Sequence, residues 1–233
     1  MATSGTYTFN PSLGELTLYA YNLCGLRNTS LLQEHLEAAR MAANMLCANW
    51  SNRGVNLWAV DLVTVPLVQG QKTYDVDLNT VTMLDAYMVI DDGNGNPTDR
   101  IILPVSRTEY ASYPNKDTQG FTTTFWFDRL ISPNPTVTLW PVPDGTSAQY
   151  LKYYRVRQIQ DSNLQNGTQV EIPYLWMDAF AYGLAARLAI IWAPDKAQLL
   201  KPLADEAYQI AADQNVETAQ QYISPQIAGY YRP

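Results

Sequence analysis

The period of the apolar residues changes twice along this chain, and that change limits the fold more than any other feature. Leu32, Leu36, Ala39, Ala43, Leu46 and Trp50 recur at spacings of three and four, which places side chains on one face of an α-helix. From Leu57 to Gln160 short apolar runs alternate with the turn clusters VQGQK, DDGNGNP, SPNP and PDGTS. That is the pattern of strands joined by tight turns. After Ile172 the helical spacing returns.

Helix boundaries are marked on both sides of the middle segment. A first helix is expected over Leu13 to Leu23, closed by Gly25. Ser30-Leu-Leu-Gln33 reads as a capping box opening the second, hydroxyl and amide satisfying each other's free backbone N–H groups, and Gly54 ends it. Pro173 suits a first helical position, where its missing N–H needs no partner. The run from Tyr174 to Trp192 has Asp178 and Arg187 as its charged residues. A helix without a polar face is expected to be covered on every side, inside the chain or between subunits. Trp176, Phe180 and Leu184 are its candidate core or subunit-interface residues. Pro194 breaks it, and Asp195 begins another helix with the apolar stripe Leu199, Leu203, Ala207 and Ile210, kinked or restarted at Pro202.

In the middle segment Val60 to Val65, Tyr74 to Val76, Val81 to Ile90, Ile101 to Leu103, Thr122 to Phe127, Thr136 to Trp140 and Tyr150 to Val156 read as strands. This many short strands predicts a small antiparallel sandwich or barrel. Ser106-Arg-Thr-Glu109 offers a second capping box, so a short helix is expected before Pro114. The fold class that follows is α+β. A helical body is built from both chain ends, 1–56 and 161–222, with a small antiparallel β module, 57–160, inserted between. Residues 223–233 (ISPQIAGYYRP) are apolar and aromatic without a period, and are expected to form a C-terminal arm.

Charge and motif content narrow the function. The net charge of −7 opposes a role in gripping duplex DNA, because phosphate neutralisation supplies most of that affinity. The first residues lack a basic region followed by an apolar run, and no apolar stretch of roughly 18 residues is expected to span a membrane. The N-x-[ST] matches at Asn28, Asn49 and Asn166 therefore read as chance, and Cys24 and Cys47 as buried reduced thiols. His35 is the single histidine. It has no nucleophile or carboxylate at helical spacing, so it reads as a solvated or interface side chain rather than a catalytic one.

Asp92-Gly-Asn-Gly-Asn96 offers calcium-type oxygens, but Pro97 and Leu103 stand where a calcium loop needs Gly and Glu. It reads as a hairpin turn. No catalytic group, metal or cofactor is expected. Tyr150-Leu-Lys-Tyr-Tyr-Arg-Val-Arg157 interleaves aromatic and basic residues as a single-strand binder does, but reads better as an interface strand. Sixteen Tyr and six Trp suit subunit interfaces, or else sugar binding.

The segments WAVDLVTVPLVQGQKTYDV, DRIILPVSRTEYASYPNK, FWFDRLISPNPTVTLWPVPDG and YLKYYRVRQIQD together resemble head-to-tail connector (adaptor) proteins of short-tailed phages. That class includes the tail tubular protein A and the tail accessory factor. The resemblance implies a homo-oligomeric ring, a dodecamer, bound beneath the portal protein at the head–tail junction of a virion assembled in the host cytoplasm. A further tail protein, nozzle or tail tube, would attach below it, and DNA would pass through the lumen without specific binding. It also implies that the arm enters a groove on the portal, with Ile223, Ile227, Tyr230, Tyr231 and Arg232 as the portal-binding residues. The rival readings are a carbohydrate-binding virion module stacking sugars on Trp58, Trp126 or Trp140, and a cell-wall hydrolase.

Overall fold

α1 spans Leu13–Leu23 and is capped at both ends. Ser12 Oγ accepts the Glu15 N–H, and the Glu15 carboxylate accepts the Ser12 N–H at 2.8 Å. At the other end Gly25 adopts φ +82°, a left-handed conformation that side chains resist. There the Gly25 and Leu26 N–H groups reach the Asn22 and Tyr21 carbonyls, each at 2.9 Å, the two bonds of a Schellman motif. The computed structural model describes residues 3–54, 57–91, 97–164 and 167–215.

α2 covers Gln33–Asn52 and does not start as expected. Ser30 lies in a 3-10 turn, Asn28–Ser30, and its hydroxyl donates to the Arg27 carbonyl at 2.7 Å. Used locally in this way, it cannot cap the helix. The N-cap is Leu32, which has no side-chain acceptor, and only the returning half of a box forms: His35 Nδ1 accepts the Leu32 N–H at 3.2 Å. The buried face is His35, Ala39, Ala43, Leu46, Cys47 and Trp50, while Leu32 and Leu36 are exposed. His35 is therefore neither solvated nor at a free surface. It stacks on Trp192 with ring centroids 4.0 Å apart, and the Tyr21 hydroxyl donates to its carbonyl at 2.5 Å.

Seven strands form where the alternation predicts them: β1 (Val60–Pro66), β2 (Thr73–Asp75), β3 (Thr80–Asp91), β4 (Thr98–Pro104), β5 (Thr124–Asp128), β6 (Thr136–Trp140) and β7 (Ala148–Arg157). They join in one sheet of order β1-β7-β3-β4-β5-β6-β2. Buried residues from both halves, among them Met88, Ile102 and Leu151 on one side and Tyr74, Phe125 and Leu139 on the other, share a single apolar cluster. The sheet must curl over to bring them together.

The expected fold class is corrected by this arrangement. The chain is a mixed α/β protein with a seven-stranded sheet and five α-helices among the described residues. The strand-rich part, 60–157, is too large to be a small inserted module. It is not purely antiparallel either, because β4 and β5 pair in parallel. A parallel pair needs a crossover, here the segment carrying α3 (Arg107–Ser112), capped by Ser106 Oγ accepting the Glu109 N–H at 3.1 Å. Helices are thus not confined to the two chain ends.

A second apolar cluster lies among the other helices. It joins Leu13 and Tyr21 of α1, Leu46 and Trp50 of α2, and Phe180, Leu184 and Leu188 of α4 (Met177–Trp192). α5 (Pro194–Gln214) starts at Pro194 and continues through Pro202 without a restart. Its buried positions are Leu200, Ala204 and Ala211, whereas Leu199, Leu203 and Ile210 face outward. The expected stripe is one residue out of register. The alanine stripe lets α5 lie closer to the alanine-rich α4, so small residues take the contact and the larger ones are left outside. α4 is not covered on every side within this chain, because Ile190 and Ile191 are exposed. The run Tyr174–Trp192 does reach the length and apolarity of a membrane span, with a mean hydropathy of 1.3, but half of it is buried against its own chain, as in a core helix.

Candidate interaction surfaces

The residues singled out in the sequence divide cleanly. Trp176, Phe180 and Leu184 lie in the helical core, with Phe180 and Leu184 fully buried. Trp50 lies between Trp176 and Phe180, with ring centroids at 4.9 and 6.0 Å. The arm residues Ile223, Ile227, Tyr230, Tyr231 and Arg232 lie outside the described residues, as does the Asp92–Asn96 loop.

Among the described residues three apolar surfaces stand open. The first is the outward stripe of α5, Leu199, Leu203 and Ile210, with Ile190 and Ile191 at the end of α4. A second is a groove of about 600 Å3 between the N-terminal segment, α1 and the start of α4. Phe9 stands edge-on to Tyr174 there, at 6.4 Å, and Tyr19 and Leu175 line it beside Glu15 and Asp178. The third is the outer face of the sheet. Leu62 pairs with Tyr154 and Tyr87 with Ile101, while Leu62, Tyr154, Ile101 and Leu103 are exposed. Contiguous apolar area of this kind marks surfaces that meet other proteins.

Sequence reasoning missed the sheet face, although a signal was present. Ile101-Ile102-Leu103 places apolar side chains on both faces of one strand, and Ile102 alone is buried. An irregularity in β3 between Met83 and Ala86 also turns Leu84 and Asp85 outward together, as a bulge does.

The tryptophans that a sugar-binding surface would need are already engaged. Trp126 stacks on Tyr110 at 5.5 Å and Trp140 on Tyr113 at 4.2 Å, because α3 and the residue that follows it lay aromatic side chains over β5 and β6. Trp140 Nε1 donates to the Asn115 carbonyl. Trp58 packs at 5.2 Å on Trp176 and donates to the Glu171 carbonyl. Two basic residues of β7, which lies between β1 and β3 in the sheet, are engaged as well. Arg155 is buried and donates to Asp77 at 2.6 Å, to Thr80 and to Asn79. Arg157 pairs with Asp61 at 3.1 Å and forms a two-pronged bond with Glu171.

The Arg157–Glu171 pair ties the sheet to the segment leading into α4. The Arg157 guanidinium, with the Gln160 N–H, holds the Glu171 carboxyl below its ordinary range. A carboxylate depressed in the folded state contributes stability above the unfolded carboxylate range, and loses it as pH falls through the folded value. Glu171→Gln is expected to lower stability by about 1–3 kcal/mol at pH 7. The difference from the unaltered chain should begin to narrow as pH falls through the ordinary carboxylate range and close only below the folded value. Urea melts at several pH values check this, and a pH-independent difference would refute it.

Neither cysteine is set up as a nucleophile. Burial pushes both thiols up to about 11, so neither forms thiolate readily at neutral pH. Among the described residues no cluster of three His, Cys, Asp or Glu could hold a metal ion.

Comparison with curated proteins gives no match. A family match does exist, and it supports the phage adaptor class that the strand segments resemble, without extending to the tail tubular protein A type in particular. Residues 22–228 match the SU10 adaptor protein family, so the chain belongs to this family of phage adaptors, structural components of the virion.

Proposed function

We propose that this chain is a ring-forming adaptor subunit that sits between the capsid portal and the tail, joins head to tail, and leaves a channel for DNA. It acts without catalysis. A dodecamer is the proposed stoichiometry, the portal and a further tail protein its two neighbours. The observation that carries this reading is the SU10 adaptor family match over 22–228. The outward α5 stripe supports it, because a ring subunit needs two side contacts that a monomer leaves open. The net charge of −7 suits a lumen that lets DNA pass without holding it. Light scattering with and without portal tests the reading. A mass many times 26.2 kDa in the presence of portal is the expected result, and a chain that stays monomeric in both conditions overturns it.

In this reading 1–56 with 161–222 and 57–160 make separate contacts in the particle, and 223–233 is a portal-binding arm. Two prolines and Gly229 stop the arm from continuing a helix, while Ile227, Tyr230 and Tyr231 gain roughly 1.5–3 kcal/mol each when fully buried on a partner. Deleting the residues after Tyr222 should leave the melting curve unchanged and abolish attachment to portal-bearing heads. Unfolding of the truncated chain, or attachment at the original level, would count against the arm.

A further inference from the structure

α2, α4 and α5 enclose a pocket of about 440 Å3. Its floor is apolar, built from Leu46, Trp50, Gly183 and Ala204. α4 comes close to α2 at Gly183, where a β-carbon would stand 3.0 Å from Leu46 Cδ2. The rim has the opposite character. Arg53, Arg187 and Lys201 stand around it against one carboxylate, Asp205, in a chain whose net charge is −7.

Among the described residues no carboxylate pairs with Arg53, Arg187 or Lys201. Arg53 lies 4.3 Å above the Tyr208 ring, and among the described residues none offers Arg187 a hydrogen bond or an ion pair. Arg187 is half-buried, and burial, with Arg53 nearby, pulls its guanidinium below the ordinary value. A cation withdrawn from water beside a like charge is destabilised, and an incoming carboxylate would relieve it.

We propose that this pocket docks a protein segment in which a carboxylate stands next to an apolar side chain. The apolar side chain enters over Trp50 and Ala204, and the carboxylate meets the Arg187 guanidinium at the rim. A nucleic acid fits less well, because a phosphate backbone needs a track of cations along an open groove, and here a few cations ring an apolar recess. All the residues that line the pocket come from a single chain.

Titration calorimetry on the full chain tests it, with acetyl-Leu-Asp-Leu-Asp-amide as the probe and its Asn counterpart as the neutral control. The acidic peptide should bind, and the neutral one should bind at least about tenfold more weakly. Arg187→Gln should bring the acidic peptide down to the neutral level, Lys201→Gln should weaken it in the same direction, and Arg129→Gln on the β5–β6 turn should leave it unchanged. Lys201 is exposed, so that variant carries the test if Arg187→Gln fails to fold. Equal binding of the two peptides, no binding of either, or insensitivity to both pocket variants overturns the proposal. So does a thymidine oligonucleotide or inorganic phosphate that displaces the bound peptide.

Discussion

Phe180→Asp removes the folded state of the isolated chain. Phe180 is fully buried among α1, α2 and α4 side chains, edge-on to Trp50. Truncating a buried Phe costs about 3–5 kcal/mol in lost burial and cavity formation. An unpaired carboxylate in that cavity adds several kcal/mol more. The sum is comparable to the roughly 5–15 kcal/mol that holds a typical domain together. Far-UV circular dichroism should show loss of the helical signal, whereas Phe180→Leu, closer in volume, should melt cooperatively at a modestly lower temperature. If Phe180→Asp keeps a cooperative transition near that of the unaltered chain, the packing of α4 described above is wrong. Such a result would return Phe180 to the subunit interface, the other place the sequence allowed for it.

The companion variant should behave in the opposite way. Leu199→Asp combined with Ile210→Asp changes two exposed positions on the outer face of α5. Substitutions away from packed features usually stay within about 0.5 kcal/mol each, and the lower helix propensity of Asp adds a few tenths. The monomer should therefore keep its fold and melt within a few degrees of the unaltered chain. Assembly should be lost, because two charges would face an apolar contact with no partner for either. Light scattering in the presence of portal reads the result. Assembly at the unaltered concentration dependence would remove the α5 stripe from the proposed ring contact.

These three positions also mark the boundary between what was legible in the sequence and what was not. Phe180 was assigned to a covered face from the apolar run around it. Leu199 and Ile210 belong to the apolar stripe that the spacing marks on α5, and the structure turns them outward. Both the Leu199 and Leu200 stripes have helical spacing. The choice between them depends on how closely α5 approaches α4, which is set by alanines on both helices and not by the sequence of α5 alone.

Other elements follow the same division. The sequence by itself determined the limits of α1 and the cap on α3, because each rests on neighbours within about four residues: Ser12 with Glu15, Gly25 with Asn22, Ser106 with Glu109; the positions of the seven strands, though not their limits, followed from alternation within each run. Only the tertiary structure decided that β4 and β5 run parallel, that the sheet curls around one core, and that Ser30 turns back to Arg27 while His35 enters the interior against Trp192. It likewise decided that Arg53, just past α2, and Lys201 of α5 stand with Arg187 of α4 around one pocket. Local order is fixed by short-range hydrogen bonds and periodicity. Strand direction, helix rotation and the grouping of charges depend on contacts between residues distant along the chain, which local patterns do not encode.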